Sequence, residues 1–323
     1  MSTIPCQLVN YLRISITDRC NLRCFYCMPQ GNYKLLKHSD ILSYEEILSV
    51  VAAAVKLGIH KFRLTGGEPL VRKGVCELIR KMISTRGVKE VVLTTNGVLL
   101  ADMLEQLYVA GIRRLNISLD TLQPHKYYNI TNKDYFHRVL LGIKRARKVG
   151  MKPIKINVVV IKGVNDDELE DFVKWAIQNS LSVRFIEYMP IGCNNNWYRS
   201  KVIPIDDIRH RIKKIVDLHP LINHSSDGPA ERYRIGSTEA EVGFIAAVRK
   251  HNCNSCNRMR LTPEGKLRPC LMSDEEINIK SFIRGGCDEA TLKDLISKAS
   301  VFKFEHRNAI KNSPMRMMSS IGG

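Results

Sequence analysis

Six short runs rich in apolar and β-branched residues recur along the first two-thirds of the chain. They are "YLRISIT" (11–17), "KFRLT" (61–65), "EVVLTT" (90–95), "RRLNISL" (113–119), "IKINVVVI" (154–161) and "SVRFIEYM" (182–189). Each has the length and composition of a strand. Between them lie segments whose apolar positions recur at helical spacing. The clearest are "SYEEILSVVAAAVKLG", "VCELIRKMIST", "ADMLEQLYVAG", "DYFHRVLLGIKRARKVG" and "DDELEDFVKWAIQN". Gly58, Gly111 and Gly150 end three of them, as helix C-termini commonly do. A sixth helix is expected at "IDDIRHRIKKI". Six strand–helix units in series predict a parallel sheet with right-handed crossovers. The pattern fits either an open doubly wound sheet or an incomplete (β/α) barrel. In both, ligands gather where the strands end and the loops begin.

After about residue 215 the alternation stops. A polar, turn-rich stretch, "HPLINHSSDGPAERYRIGSTEAE", leads into two short strand-like pieces, "VGFIAAV" and "RMRLTPEGKLRPCL". The second reads as a hairpin turning at Pro263-Glu264-Gly265. A helix is expected at 289–299, followed by a tail ending "SSIGG". The division expected is a first region over 1–214 and a smaller α+β region over 215–323, packed on the first.

Composition adds two constraints. The net charge of +18 suits an anionic partner: nucleic acid, an anionic membrane surface or a phosphorylated small molecule. The basic residues are spread along the chain without a dense run, and no RNA-binding signature accompanies them, which points away from nucleic acid. No apolar run approaches a membrane span, and the N-terminus lacks the pattern of a secretory signal. A cytoplasmic protein without a membrane partner is the expectation. Ten cysteines in such a protein read as metal ligands or catalytic groups before disulfides. Six fall in two trios. Cys6, Cys76, Cys193 and Cys287 are scattered and read as plain thiols.

The first trio, Cys20, Cys24 and Cys27 in "CNLRCFYC", directly follows the first strand. A structural zinc site closes with four ligands, and a [4Fe–4S] cube held wholly by protein takes four thiolates. Three thiolates leave one iron open to a small molecule. This C-x3-C-x2-C spacing, with aromatic Tyr26 before the last cysteine, resembles the signature of the radical S-adenosylmethionine (SAM) enzymes. The resemblance implies a cluster whose open iron chelates the amino and carboxylate groups of SAM. It also implies cleavage of SAM to a 5′-deoxyadenosyl radical that abstracts hydrogen. "TGGEP" (65–69) ends the second strand, where Gly67 permits close backbone approach and Glu68 is placed to accept a bond from the SAM ammonium. Ser118 ends the fourth strand and Met189 the sixth. In the family such positions meet the SAM ribose and adenine.

The second trio, Cys253, Cys256 and Cys270, stands in "CNSCNRMRLTPEGKLRPC". A zinc knuckle completed by Cys287 is one reading, and a second three-thiolate cluster is the other. The stretch resembles the C-terminal cluster motif of the GTP 3′,8-cyclase family of molybdenum cofactor biosynthesis. "YLRISITDRCNLRCFYCMP", "RLTGGEPLVR", "LTTNG", "LNISLD", "KINVVVIKGVND", "RFIEYMPIG" and the terminal "GG" extend the likeness from residue 11 to residue 323. It implies an incomplete (β/α)6 TIM-like barrel whose C-terminal α+β region carries a second [4Fe–4S] cluster that binds the guanine of GTP. The implied reaction abstracts the ribose 3′ hydrogen and joins that carbon to C8, giving 3′,8-cyclo-7,8-dihydro-GTP. That product would pass to cyclic pyranopterin monophosphate synthase. A flavodoxin or ferredoxin would serve as electron donor, and a homodimer is an assembly the resemblance allows.

A triphosphate needs cations, and inward-pointing cations on parallel strands are costly unless an anion meets them. Arg13, Arg63, Thr94, Lys155, Arg184, Arg258, Met259 and Arg260 correspond by resemblance to substrate-binding positions. Lys61 joins them because it shares a strand face with Arg63. The resemblance also gives Arg258, Arg260 and the terminal Gly322-Gly323 a part in turnover, the glycines by reaching into the active site. Two stretches depart from the family pattern: "IPCQLVN" before the first strand, where an Asp-x-x-Gly-Arg run is usual, and 223–241. Two other classes fit parts of the sequence. One is a radical SAM enzyme acting on peptide or RNA; the other is a zinc-stabilised nucleic-acid-binding protein.

Overall fold

The computed structural model describes residues 9–28, 34–189, 199–222, 228–246, 256–306, 316 and 318–322. The six expected strands form β1 (Tyr11–Ser15), β2 (Lys61–Thr65), β3 (Glu90–Thr95), β4 (Leu115–Ser118), β5 (Ile154–Val160) and β6 (Ser182–Glu187). They pair in that order, all parallel. Helices α1 (Tyr44–Lys56), α2 (Val75–Ser84), α3 (Leu100–Val109), α5 (Phe136–Lys148), α6 (Leu169–Asn179) and α7 (Ile205–Lys213) occupy the expected segments. Ser43 starts α1 with a capping box, its hydroxyl accepting from Glu46 N–H while Glu46 accepts from Ser43 N–H. Gly58, Gly111 and Gly150 stop three helices at positive φ. Among the described residues no helix is long and apolar enough to cross a membrane.

Within the strand–helix series one helix was not anticipated. α4 (Pro124–Thr131) reads "PHKYYNIT", a run of aromatic, polar and β-branched residues with weak helix propensity. Pro124 suits its first turn and Asn132, at φ 54°, ends it. Burial of Tyr127, Ile130 and Thr131 holds it in place.

Strands of the C-terminal region join the sheet of the first region. β7 (Leu218–Pro220), β8 (Glu231–Ile235) and β9 (Glu241–Ile245) extend the sheet beyond β6, with β9 parallel to it. β10 (Arg258–Leu261), β11 (Lys266–Arg268) and β12 (Ile277–Asn278) extend it beyond β1, with β10 parallel to β1. An open parallel sheet has two edges of unsatisfied backbone groups, and the C-terminal strands pair with both. The result is one 12-stranded sheet in the order β12-β11-β10-β1-β2-β3-β4-β5-β6-β9-β8-β7. No pairing among the described residues joins its two ends. The β10–β11 hairpin turns as expected, with Gly265 at φ 78°. α8 (Lys280–Arg284), α9 (Glu289–Glu305) and α10 (Met318–Ile321) complete the chain, α9 running past its expected end.

Strand alternation divides this sheet cleanly. Leu12, Ile14, Phe62, Leu64, Leu93, Leu115, Ile117, Ile156, Val183, Phe185, Phe244, Met259 and Leu261 belong to one apolar core shared with the helices. The residues between them, on the other face, are mostly polar or cationic. Parallel strands covered on both faces ordinarily read as continuous apolar runs, so this alternation marks an inner face built for something other than packing. On the apolar side Phe185 stacks on Phe244, centroids 6.4 Å apart, and meets Phe172 edge-on at 6.2 Å. Phe185→Ala is expected to cost about 3–5 kcal/mol, read as a lower urea midpoint in unfolding of the metal-free chain.

Candidate active site

The loop after β1 carries the first trio to the C-terminal end of the sheet. Cys24 C=O accepts from Cys27 N–H at 3.0 Å and Met28 N–H at 2.9 Å, a tight turn that sets the last two cysteines side by side. The end of α4 holds the loop from one side: Thr131 C=O accepts from Arg23 N–H and Ile130 C=O from Phe25 N–H, at 2.9 and 3.1 Å. The turn after β2 holds it from the other. Gly67 N–H donates to Thr17 C=O at 2.7 Å and Glu68 N–H to Arg19 C=O at 2.8 Å. A side chain on Gly67 would meet the Arg19 carbonyl at 2.3 Å. The bare face of this glycine therefore serves approach of the cysteine loop itself.

The Cys20 sulfur accepts from Leu22 N–H at 3.4 Å and the Asn96 amide at 3.7 Å. Burial pushes the Cys20 thiol up to about 11. Burial and the neighbouring sulfur of Cys27 push Cys24 well above the usual thiol range. Thiols such as Cys20 and Cys24, held neutral by burial, are suited to a bound cation, which would supply the missing charge. Among the described residues no three Cys, His or acidic side chains converge on a single ion. A cube, by contrast, spreads its thiolates over separate irons.

Around this loop the expected SAM positions come together in part. A small cavity is lined by Cys24, Tyr26, Asn96, Ser118, Asp120 and Tyr127. Tyr26 donates its hydroxyl to Asp120 Oδ2 at 2.6 Å and meets Tyr188 edge-on. Val159 N–H donates to Asp120 Oδ1 at 2.9 Å. Burial raises Asp120 to about 6 against these two bonds. Glu68, fully buried, accepts from Leu70 N–H at 3.0 Å, Thr95 Oγ1 at 2.7 Å and Asn96 N–H at 2.7 Å. Burial nevertheless pushes its carboxyl up to about 7. Met189 lies partly exposed just beyond β6. Asn96, Asp120 and Asn157 were not singled out from the sequence. Asn157 pairs in register with Ser118 on the same face, and a period-two reading from Ser118 and Lys155 would have found it.

Below the mouth, the inner face is a field of cations. Arg260, Arg13 and Arg63 occupy directly opposed positions on β10, β1 and β2. Arg268 continues the row on β11. Arg258 and Lys61 flank Tyr11 one step lower. Burial, then the charges of Arg260 and Arg63, pulls Arg13 well below its ordinary value. Burial and Arg258 bring Arg260 to about 9, and burial with Arg63 brings Arg184 to about 10. Arg63 donates to Thr94 Oγ1 at 3.4 Å. Lys155, buried, pairs in register with Asn116, which pairs with Thr94.

Two expected substrate positions are placed differently from the rest. Met259 is fully buried in the apolar core, with Ser300 Oγ 3.6 Å from its sulfur; strand alternation turns its side chain away from Arg258 and Arg260. Only its backbone shares their strand. Lys61 does face inward, yet it pairs with Glu90 at 2.6 Å and lies over the Tyr11 ring. Its charge is already met within the protein.

Of the second trio, Cys256 sits at the other end of the sheet, because it precedes β10 while Cys20 follows the parallel β1. Cys270 comes to the same end after the antiparallel β11. Burial raises the Cys256 thiol, but Arg258 and Lys303 outweigh it and bring it to about 6, leaving a thiolate at neutral pH. Lys303, buried on α9, also donates to Pro269 C=O at 3.1 Å. Cys253 and Gly323 lie outside the described residues, as do Cys6 and Cys193. Cys76 and Cys287 pack against the apolar core.

The C-terminal tail enters the inner face. Arg260 donates to the carbonyls of Gly322 and Ile321. Gly322 is buried at φ 74°, and a side chain there would meet Thr65 Cγ2 at 2.9 Å and Ser15 Cβ at 3.1 Å. Only glycine fits both the backbone and the space. Arg316 moors the tail on Glu264 and Glu276. Gly322→Ala is expected to expel the tail. In that variant trypsin should release the peptide after Arg316 several-fold faster, followed by mass spectrometry.

Family models match the chain in two parts: the Radical SAM superfamily over residues 14–176 and Molybdenum Cofactor Synthesis C over residues 181–308. The GTP 3′,8-cyclase of Thermodesulfovibrio yellowstonii is 45% identical over 317 residues, covering 98% of each chain. That of Peptoclostridium acidaminophilum is 45% identical over 318 residues, covering 98% of this chain and 96% of its own. Among solved structures, Streptococcus suis SuiB bound to S-adenosylmethionine superposes with a TM-score of 0.59 at 16% identity. The match covers 85% of this chain, which spans 64% of the length of SuiB, and shows a shared fold. The sequence likeness over nearly the whole length shows more: the chain is a radical SAM enzyme and belongs to the GTP 3′,8-cyclase family.

Proposed function

We propose that this protein converts GTP to 3′,8-cyclo-7,8-dihydro-GTP, the first step of molybdenum cofactor biosynthesis. The observation that carries this reading is the position of Cys20, Cys24 and Cys27 at one end of the inner face and of Cys256 and Cys270 at the other, with arginines between them. A nucleoside triphosphate has the charge for such a space. Arg guanidinium groups offer paired donors that match phosphate oxygens.

Cys20, Cys24 and Cys27 would hold the first [4Fe–4S] cluster, and Cys253, Cys256 and Cys270 a second. When bound, the first cluster and SAM supply the electron and the 5′-deoxyadenosyl radical that abstracts the ribose 3′ hydrogen. The chain's own residues do the remaining work. Glu68 and the Gly67 backbone orient the SAM amino group, while Tyr26, Ser118 and Met189 border its adenosyl part. Arg13, Arg63, Thr94, Lys155, Arg184, Arg258 and Arg260 hold the nucleotide. The Gly322 carbonyl orients Arg260 from the side of the tail. The product would be passed to cyclic pyranopterin monophosphate synthase, and a flavodoxin or ferredoxin would supply the electron.

Anaerobic reconstitution is expected to load about eight irons per chain, four for each cube. SAM and a reductant should then give 5′-deoxyadenosine only when GTP is present. Iron at about half that level with zinc beside it would remove the second cluster. Deoxyadenosine formation indifferent to GTP would remove the substrate.

SAM affinity carries a pH signature. Glu68 is raised to about 7, so its carboxylate fraction, and with it acceptance of the SAM amino N–H, grows as pH rises through that value. SAM should bind more tightly at about pH 8 than at about pH 6, and Glu68→Gln should flatten the profile. Equilibrium dialysis of the anaerobic holoenzyme reads both.

A further inference from the structure

The inner face contains one buried acceptor that the proposed roles leave unused. Asn116, on β4, is 1% exposed. Leu115 and Ile117 beside it belong to the apolar core, so Asn116 faces inward with Ser118. Its Nδ2 donates to Leu93 C=O at 3.4 Å. A carbonyl only accepts, so this contact fixes the amide with its NH2 toward Leu93 and its oxygen the other way. That oxygen, Oδ1, has no hydrogen-bond partner among the described residues. Neither Thr94 nor Lys155, its neighbours in register, donates to it.

A buried amide oxygen without a donor is costly, and such groups in folded proteins usually find one. The donor is then an ordered water or a group of a ligand in this space, and a ligand that fills the inner face displaces the water. Phosphate oxygens at neutral pH only accept, so they are suited to Arg63 and Lys155 and offer Asn116 nothing. A nucleotide's donors are its ribose O–H groups and its base N–H groups; the guanine is assigned to the Cys256 end of the face, whereas Asn116 stands level with Thr94 toward the Cys20 end, which leaves the ribose. We infer that Asn116 is a further ligand-contacting residue whose Oδ1 accepts a hydrogen bond from a ribose hydroxyl. The inference rests on the functional reading above. Two riboses share this chemistry, that of the substrate nucleotide and that of SAM.

The test uses the reconstituted holoenzyme under anaerobic conditions. Dissociation constants are measured for GTP, 2′-deoxy-GTP, 3′-deoxy-GTP and SAM, in the wild type and in Asn116→Leu and Asn116→Ala. If the substrate ribose is the donor, both variants lose about tenfold in GTP affinity, the size of one neutral hydrogen bond. One deoxy analogue then binds the wild type weakly, and GTP and that analogue bind the variants alike. If the SAM ribose is the donor, the loss appears in SAM affinity and GTP binding is unchanged. The GTP-to-analogue ratio is read on folded protein alone, so partial unfolding does not imitate it. Unchanged affinities for both ligands would overturn the inference. So would equal losses for GTP and both deoxy analogues, which indicate a role in packing. Failure of the wild type to bind GTP would instead overturn the functional reading, with the SAM measurements still testing Asn116.

Discussion

The constraint on which this structure turns is the mutual repulsion of cations on one face of a parallel sheet. Arg268, Arg260, Arg13 and Arg63 stand on four adjacent strands in direct register. Strands lie about 4.8 Å apart. Two unit charges at that spacing repel by roughly 3 kcal/mol at an effective dielectric of about 20. The chain relieves this at the margins with its own carboxylates. Arg268 pairs with Glu276, Lys61 with Glu90 at 2.6 Å, and Arg232 with Glu241 at 2.8 Å. Toward the centre, burial and neighbouring arginines make Arg13 and Arg260 more acidic than usual. Such a centre is most comfortable with an anion in it. The apolar opposite face, locked to the helices, supplies the stability that lets the inner face stay strained.

The C-terminal region is part of that arrangement. Had it formed a separate layer, Arg258 and Arg260 would stand apart from Arg13. Pairing β10 to β1 brings them into one row, and it sets Cys256 and Cys270 at the end opposite Cys20. The edge strands thus do two things at once: they satisfy the open sheet's backbone and they complete its inner lining.

Much of this was legible in the sequence. Period-two and helical patterns gave the six strands, their six helices and the β10–β11 hairpin, because each reflects local burial on one face. The cysteine spacings and the glycine turn after β2 were legible because their chemistry is local as well. What escaped depends on distant partners. α4 has little propensity of its own and forms because its end grips the cysteine loop. Met259 was drawn into the substrate set by its neighbours, although alternation between two inward arginines requires it to face the core. Lys61 joins the substrate set on the face it shares with Arg63, and its pairing with Glu90 is hidden from the sequence because Glu90 is a neighbour only across strands. Asn116 and Asn157 look like ordinary polar strand residues until register places them beside Thr94, Lys155 and Ser118.

The tail shows how the inner face stays ready for an anion while it is filled. Arg260 is met by backbone carbonyls of Ile321 and Gly322. A carbonyl is a dipole, so it fixes the direction of the guanidinium without cancelling its charge. A carboxylate at the same place would do both, and would compete with a phosphate for the same donors. Glycine is what allows this, since any side chain at Gly322 would strike Ser15 and Thr65. The anchoring charge is instead placed at Arg316, on Glu264 and Glu276. The attraction that moors the tail and the attraction available to a ligand are thereby carried by different residues.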